Sequence, residues 1–294
     1  MYDSEFRAMV AAEERHWWYR GRRRVVDAAL DGLGLPAFAD ILDVGCGSGR
    51  MLDELARRGR VTGVDIRPEA VQEARARGHA RAIVAPAEDT GLPSRGYDLV
   101  TAFDVVEHTP DDRRTLSELL RVTRRGGVLL VTVPAYPRLW SHHDVVNQHH
   151  RRYTSGTLAR AAQAAGWEVE RSTYFFSHLL VPAALLRLAQ RDRGDGDPRS
   201  DLEHAGRARL LGRLLEVPSA AEAAVVRRGG RLPAGLSLLA VLRAPAPALS
   251  AVPPAMDWPA HGDGRTRRPH PLPTHSSAVR RPRDSTPATR ARHR

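Results

Sequence analysis

Asp43-Val44-Gly45-Cys46-Gly47-Ser48-Gly49 places three alternating glycines after an apolar run and ahead of a helical pattern. Glycines there permit backbone conformations that a Cβ forbids and let a ligand lie against the main chain. A helix starting near Arg50 aims its free N–H groups back at the loop, which favours a carboxylate or a phosphate. Asp65, twenty residues after Gly45, ends the next apolar run, where a carboxylate can accept both hydroxyls of a ribose. A second reactive group lies downstream: His142, His143, Asp144, His149 and His150. Imidazole is the usual base for drawing a proton from a hydroxyl, so His143 or His149 is the candidate catalytic base, with Asp144 as its orienter. The adjacent pairs His142-His143 and His149-His150 point in different directions on regular structure and show no ordinary ligand spacing, so no metal is expected.

The elements that must position these residues follow from the pattern of apolar runs. Short runs at Ile41–Val44, Val61–Asp65, Ala82–Ala85, Tyr97–Phe103 and Val128–Val133 read as strands. Helical periods at Val25–Leu33, Met51–Arg58, Pro68–Arg77 and Arg113–Val122 flank or alternate with them, and Gly126-Gly127 reads as a turn. Thr154–Ala165 reads as a helix capped by Gly166, Trp167–Phe176 as a sixth strand, and Leu236–Leu242 as the last. Alternation of this kind argues for a parallel sheet covered on both faces. Ser177–Arg231 reads as mostly helical, with a polar break at Asp192–Pro198.

Composition bounds the function. Of the 294 residues, 45 are basic, every one of them arginine, and the formal net charge is +11. Residues 245–294 hold nine arginines against three acids and ten of the 21 prolines, which leaves the first 244 residues at +5. A polybasic nucleic-acid-binding core is therefore not required, and the tail is expected to be disordered. The single cysteine, Cys46, excludes a disulfide scaffold. The opening residues lack a signal-peptide apolar core, and the most apolar run, Phe175–Ala189, is interrupted by His178, Pro182 and Arg187, leaving room for a buried or an interfacial helix but not for a span. The expectation is a soluble, cytoplasmic protein with no transmembrane segment and no specific nucleic-acid partner.

The G-x-G-x-G spacing after an acid resembles motif I of class I S-adenosylmethionine (SAM) methyltransferases. Further pieces resemble that superfamily in order and spacing: Leu92-Pro93 before Tyr97-Asp98-Leu99-Val100, then Phe103-Asp104-Val105-Val106-Glu107-His108, then Arg121-Val122-Thr123-Arg124-Arg125-Gly126-Gly127. The resemblance runs from about Trp17 to Leu242 and is nearest in flavour to the type 11/23 and ubiquinone-biosynthesis O-methyltransferase branch. It implies a Rossmann-like α/β fold: a seven-stranded sheet, mostly parallel with an antiparallel last strand, helices on both faces. It also implies SAM as cofactor. Gly45, Gly47 and Gly49 would hold its methionine part and Asp65 its ribose, Asp43 and Ile66 would join the cofactor contacts, and Phe103 would line the pocket. The usual acid after strand three is replaced by Pro86, which leaves Glu88 or Asp89 for the adenine.

His16-Trp17-Trp18-Tyr19-Arg20 resembles the W-W-[FY]-x-x-R opening of a narrower subgroup, which looks like a lid. Adjacent tryptophans cannot share one helical face, so one is expected to pack inward. The segment after strand five is where the superfamily places acceptor-binding residues, which puts Trp140, Arg151, Arg152 and Tyr153 with Trp17 as substrate contacts. Arg151 and Arg152 could clamp an anionic acceptor or, with Tyr153, cap the following helix. The expected organisation is a lid at 1–35, a cofactor-binding domain at 36–244 with a helical insertion at 177–231, and a tail at 245–294. The expected activity is methyl transfer to a small-molecule acceptor, favouring oxygen. A dinucleotide oxidoreductase is the rival, but Arg50 occupies the third glycine of G-x-G-x-x-G. A nucleic-acid-modifying methyltransferase is a further rival, and Phe103-Asp104-Val105-Val106 stands where its N/D-P-P-aromatic motif belongs.

Overall fold

A computed structural model of the chain describes residues 7, 10–13, 16–191 and 209–246. Two units divide the chain, Met1–Ala248 and Leu249–Arg294, and all described residues belong to the first. The polar break at 192–198 and most of the tail expected at 245–294 lie outside the described residues.

Seven runs rich in Val, Leu, Ile and Ala become strands: β1 Ala39–Val44, β2 Gly59–Asp65, β3 Ala82–Val84, β4 Tyr97–Phe103, β5 Thr123–Pro134, β6 Glu168–Phe175 and β7 Ser237–Arg243. Their order in the sheet is β3-β2-β1-β4-β5-β7-β6. The neighbours from β3 to β5 pair in parallel, and β7 runs antiparallel to both β5 and β6. This is the expected mostly parallel sheet with an antiparallel last strand. The order reverses at β1, which has β2 on one side and β4 on the other, and such a switch point opens a crevice at the carboxyl ends of the strands.

Side chains alternate between the two faces of a strand, so each strand feeds two cores. Ile41, Leu99, Leu130 and Leu239 join one cluster, and their neighbours Leu42, Val100, Leu129 and Leu238 join the other. On the first face lie helices α1 (Trp17–Leu30) and α2 (Arg50–Leu55); α3 (Pro68–Ala76) packs Val71 and Ala74 against Leu52. The second face is covered by α4 (Asp112–Val122), and after the short α5 (His142–Val146) by α6 (Ser155–Ala164). Helices α7 (Leu180–Arg191) and α8 (Arg209–Arg227) complete the described part.

Two local expectations are corrected. Helix α1 begins eight residues earlier than the Val25 start, because the His16 side chain caps it, accepting from Trp18 N at 3.2 Å, and Trp17 and Tyr19 bury themselves. Gly126 and Gly127 are not a turn outside the sheet: β5 starts at Thr123, paired with Tyr97, and a register shift between Tyr97 and Leu99 absorbs the glycines as a bulge. Helix α1 is tied to α8 by Arg20 and Arg24, which both pair with Glu216, and Trp18 stacks on Phe176 with centroids 4.1 Å apart.

Candidate functional site

The glycine loop leaves β1 at the switch point. Gly45 has φ +73°, and a Cβ there would meet Val105 Cγ2 at 2.3 Å, so the loop passes too close to the segment after β4 for any side chain. Gly49, at φ +84°, starts α2, and its missing Cβ would fall 2.9 Å from Ala74 Cα. Asp65 folds the loop: Oδ2 accepts from Gly47 N and Oδ1 from Arg67 N, each at 2.9 Å. Burial raises the Asp65 carboxyl, with these amides pulling it back down. Asp43 is buried beneath the loop and accepts from Thr101 Oγ1 at 2.6 Å; desolvation pushes its pKa up to about 7 despite that bond.

A cavity of about 1130 Å³ spreads from this loop. That exceeds the upper range of ~1,000 Å³ for a single small-molecule site and leaves room for a cofactor with a second ligand beside it. Asp43, Gly45, Gly47, Asp65, Ile66, Glu88 and Phe103 line it, as the sequence reading placed them, whereas Gly49 does not, its part being to start α2. Of the two acids offered for the adenine, Glu88 lines the wall and Asp89 does not. The residues present fit SAM: the buried carboxylates of Asp65 and Asp43 and the main chain of Gly45 and Gly47 face one cavity, which suits ribose hydroxyls, a sulfonium and an amino-acid end.

Arg22 was missed, although the W-W-Y-x-x-R pattern contains it. It projects from α1 to the cavity wall beside Asp43 and Gly45, pairs with Asp104 and lies over the Tyr19 ring at 5.7 Å. Glu13, also on the wall, takes a hydrogen bond from Ser48 of the loop. Trp17 packs inward, in the buried core, and Trp18 is half-buried against it; both reach the wall and both contact Phe176.

At the far end stands the histidine group. Asp144, fully buried, accepts from His149 Nδ1 at 2.9 Å and Arg152 Nε at 2.7 Å on one oxygen, and from Ser141 N at 2.8 Å on the other. Burial alone would raise this carboxyl; the hydrogen bonds from His149 and Arg152 carry it below the ordinary carboxylate range. His143 and His149 line the cavity, their rings 6.1 Å apart, while Asp144 stays behind them, off the wall. His108 meets His149 edge-on at 4.6 Å. Burial, then the neighbouring His149, lowers His108 to about 4.

Glu107, next to it, is fully buried with no hydrogen-bond partner for either carboxylate oxygen among the described residues. Burial and then Asp104 raise it well above the usual carboxylate range. Glu107, His108 and His149 offer three ligand atoms within 4.8 Å of one another, a trio that could hold a metal ion; no such set was expected, because its members come from different elements.

Of the expected substrate residues, Trp17 and Arg152 line the cavity, and Trp140, Arg151 and Tyr153 do not. Arg151 pairs with Asp112 at 3.0 Å, and the buried Tyr153 donates its hydroxyl to Asp112 at 2.8 Å, so both tie the post-β5 segment to α4. Trp140 lies 37% exposed, off the cavity wall.

Residues 42–131 match the methyltransferase domain family. The chain is 33% identical over 171 residues to a protein of Mycolicibacterium smegmatis named a probable S-adenosylmethionine-dependent methyltransferase, covering 56% of this chain and 64% of that one. It is 35% identical over 114 residues to the ubiquinone biosynthesis O-methyltransferase of Xanthomonas oryzae pv. oryzae, covering 36% of this chain and 46% of the relative. The aligned stretches thus span less than two thirds of these relatives' own lengths.

Among solved structures, a Haloferax volcanii chain in complex with the Trm112 methyltransferase activator superposes with TM-score 0.54 at 22% identity, over 83% of this chain and 95% of that one. Phosphoethanolamine N-methyltransferase 2 of Haemonchus contortus, solved with S-adenosyl-L-methionine, gives TM-score 0.51 at 16% identity, over 76% of this chain and 52% of that one. These two show the shared fold. Matched domain, relatives and sheet order together support a class I S-adenosylmethionine-dependent methyltransferase domain around residues 42–131.

Proposed function

We propose that the chain transfers the methyl group of SAM to an oxygen of a small-molecule acceptor. The observation that carries this reading is one continuous cavity with the Asp43–Asp65 cradle at one end and the Asp144-braced His149 at the other. When bound, SAM supplies a methyl group already activated on a sulfonium. The residues of this chain therefore need only bind, align and exclude water. Asp65 takes the ribose hydroxyls, Ile66 and Glu88 the adenine, and Gly45 and Gly47 the methionine part. Asp43 faces its positive charge, and Arg22 faces its carboxylate. His149, with Nδ1 committed to Asp144, has Nε2 free to accept the acceptor hydroxyl's proton. Trp17 and Trp18 close the site from above, and Arg152 fixes the Asp144 side of it.

In this reading residues 1–35 cap the site, residues 36–244 are the catalytic domain, residues 177–231 roof the acceptor, and the 245–294 tail is dispensable to the chemistry. The lone buried Cys46 suits a reducing cytoplasm. A screen with methyl-labelled SAM against phenols, sugars, quinone precursors and amines tests the reading. Label is expected on oxygen acceptors in the wild type and not in His149→Gln; label on amines alone contradicts it.

The Glu107–His108–His149 trio favours a second reading of the same end of the cavity. It would hold a divalent cation against the acceptor, with Asp144 bracing His149 from behind as carboxylates brace metal-bound imidazoles. Loss of turnover on chelation and recovery on adding Mg²⁺ or Zn²⁺ would select it over direct proton transfer; indifference to chelation would exclude it.

A further inference from the structure

Helix α1 carries a glycine, Gly21, in its interior, where glycine is disfavoured. The Phe176 ring accounts for it: a Cβ on Gly21 would fall 2.9 Å from Phe176 Cε1 and 3.0 Å from Ser219 Oγ of α8. Phe176 is fully buried there, stacked on Trp18 with centroids 4.1 Å apart and edge-on to Trp17 at 6.2 Å. Both tryptophans line the cavity. The ring is thus a wedge that seats α1 over the site.

The backbone of Phe176 is left-handed, with φ +59° and ψ +43°, a conformation that an aromatic residue keeps only where its surroundings hold it. Glu222, buried on α8, holds it. Its Oε2 accepts from Phe176 N at 2.6 Å and its Oε1 from Ser177 N at 2.7 Å, with His178 Nδ1 3.4 Å from the latter oxygen. Two successive amides turned onto one carboxylate fix the direction in which the chain leaves β6. The chain then passes through one tight helical turn, Ser177–Leu179, into α7, and Leu179, Pro182 and Ala183 line the cavity. One carboxylate, itself off the cavity wall, therefore sets two pieces of that wall.

We propose that Glu222 is a positioning residue of the acceptor site: through the main chain of Phe176 and Ser177 it seats the Phe176 ring under Trp18 and holds the wall built by α1 and the start of α7. The proposal rests on the reading that this side of the cavity takes the methyl acceptor.

Glu222→Gln in the full chain tests it, because the variant sets an NH₂ group against one of the two main-chain donors. Hydrogen exchange of residues 176–185 and of residues 17–22 should quicken together by at least about tenfold, with β5 unchanged. SAM affinity should stay within about threefold, since Arg22 is anchored separately by Asp104. With catechol as the probe acceptor, KM should rise at least about tenfold while kcat stays within about threefold. Phe176→Leu should act in the same way, and combining the two should add little, because both work through one wedge. If Glu222→Gln fails to bind SAM, Phe176→Leu is read alone. Exchange that quickens at 176–185 only, a fall in kcat with KM unchanged, or losses that add in full would overturn the proposal. A wild type inert toward catechol contradicts oxygen transfer instead, and the exchange comparison then decides this proposal by itself.

Discussion

Nδ1 of His149 lies 2.9 Å from Oδ1 of Asp144, and the same oxygen receives Arg152 Nε at 2.7 Å. A buried carboxylate therefore fixes the ring and its tautomer, and Nε2 is the nitrogen presented to a ligand in the cavity. His149→Gln is expected to lower the rate of methyl transfer by about 10²–10⁴-fold, the usual worth of a positioned proton acceptor. SAM affinity, read by calorimetry, should stay within about twofold of the wild type. Turnover with catechol as the probe acceptor checks the first part.

Asp144→Asn leaves Arg152 buried without its counter-charge, which costs roughly 3–5 kcal/mol. The sign with pH is set by the depressed Asp144 pKa: the carboxylate stabilises the fold fully above the unfolded value of about 3.9, and that contribution is lost as pH falls through the lower folded value. Urea denaturation at pH 7 should separate the two proteins widely, and the gap should narrow toward pH 3. A constant gap would contradict the ion pair.

Asp43 gives a different pH signature. Its pKa of about 7 in the free protein means that a cationic ligand must draw off a proton below that pH. SAM affinity is then expected to rise about tenfold from pH 6 to pH 8 and to level above, with Asp43→Asn flattening the profile. Calorimetry in two buffers of different ionisation enthalpy would detect the released proton near pH 6.

Much of this was legible in the sequence, and the reasons differ by element. The strand Tyr97–Phe103 appears with its read boundaries because an apolar run of that length leaves no other way to bury both faces. The glycine loop and Asp65 were legible because main-chain binding leaves a local signature. Asp144 was readable as an orienter because it sits five residues from His149 on the same segment. The pairing of His149 with Glu107 and His108 was not, because it arises only when the ends of the adjacent strands β4 and β5 come together; the spacing of about forty residues carries no period. Gly126-Gly127 misled because a glycine pair signals a turn more often than a bulge. Tyr153 and Arg151 had acceptor-binding chemistry, but Asp112 claims both.

Gly45→Ala probes the cradle itself. A Cβ 2.3 Å from Val105 Cγ2, at φ +73°, forces the loop to move. Strain of this kind costs about 1–3 kcal/mol, and the displaced amides should weaken SAM binding about tenfold or more. Pairing it with Val105→Ala should restore part of the loss, which a titration of the double variant would show.

The most direct test of the central claim is titration of the full chain with SAM and, separately, with NADH, alongside Asp65→Ala. The account predicts saturable binding of one SAM per chain, no binding of NADH, and at least about tenfold weaker SAM binding once the Asp65 carboxylate is gone. Saturable NADH binding with none of SAM, or SAM binding indifferent to Asp65, would contradict it.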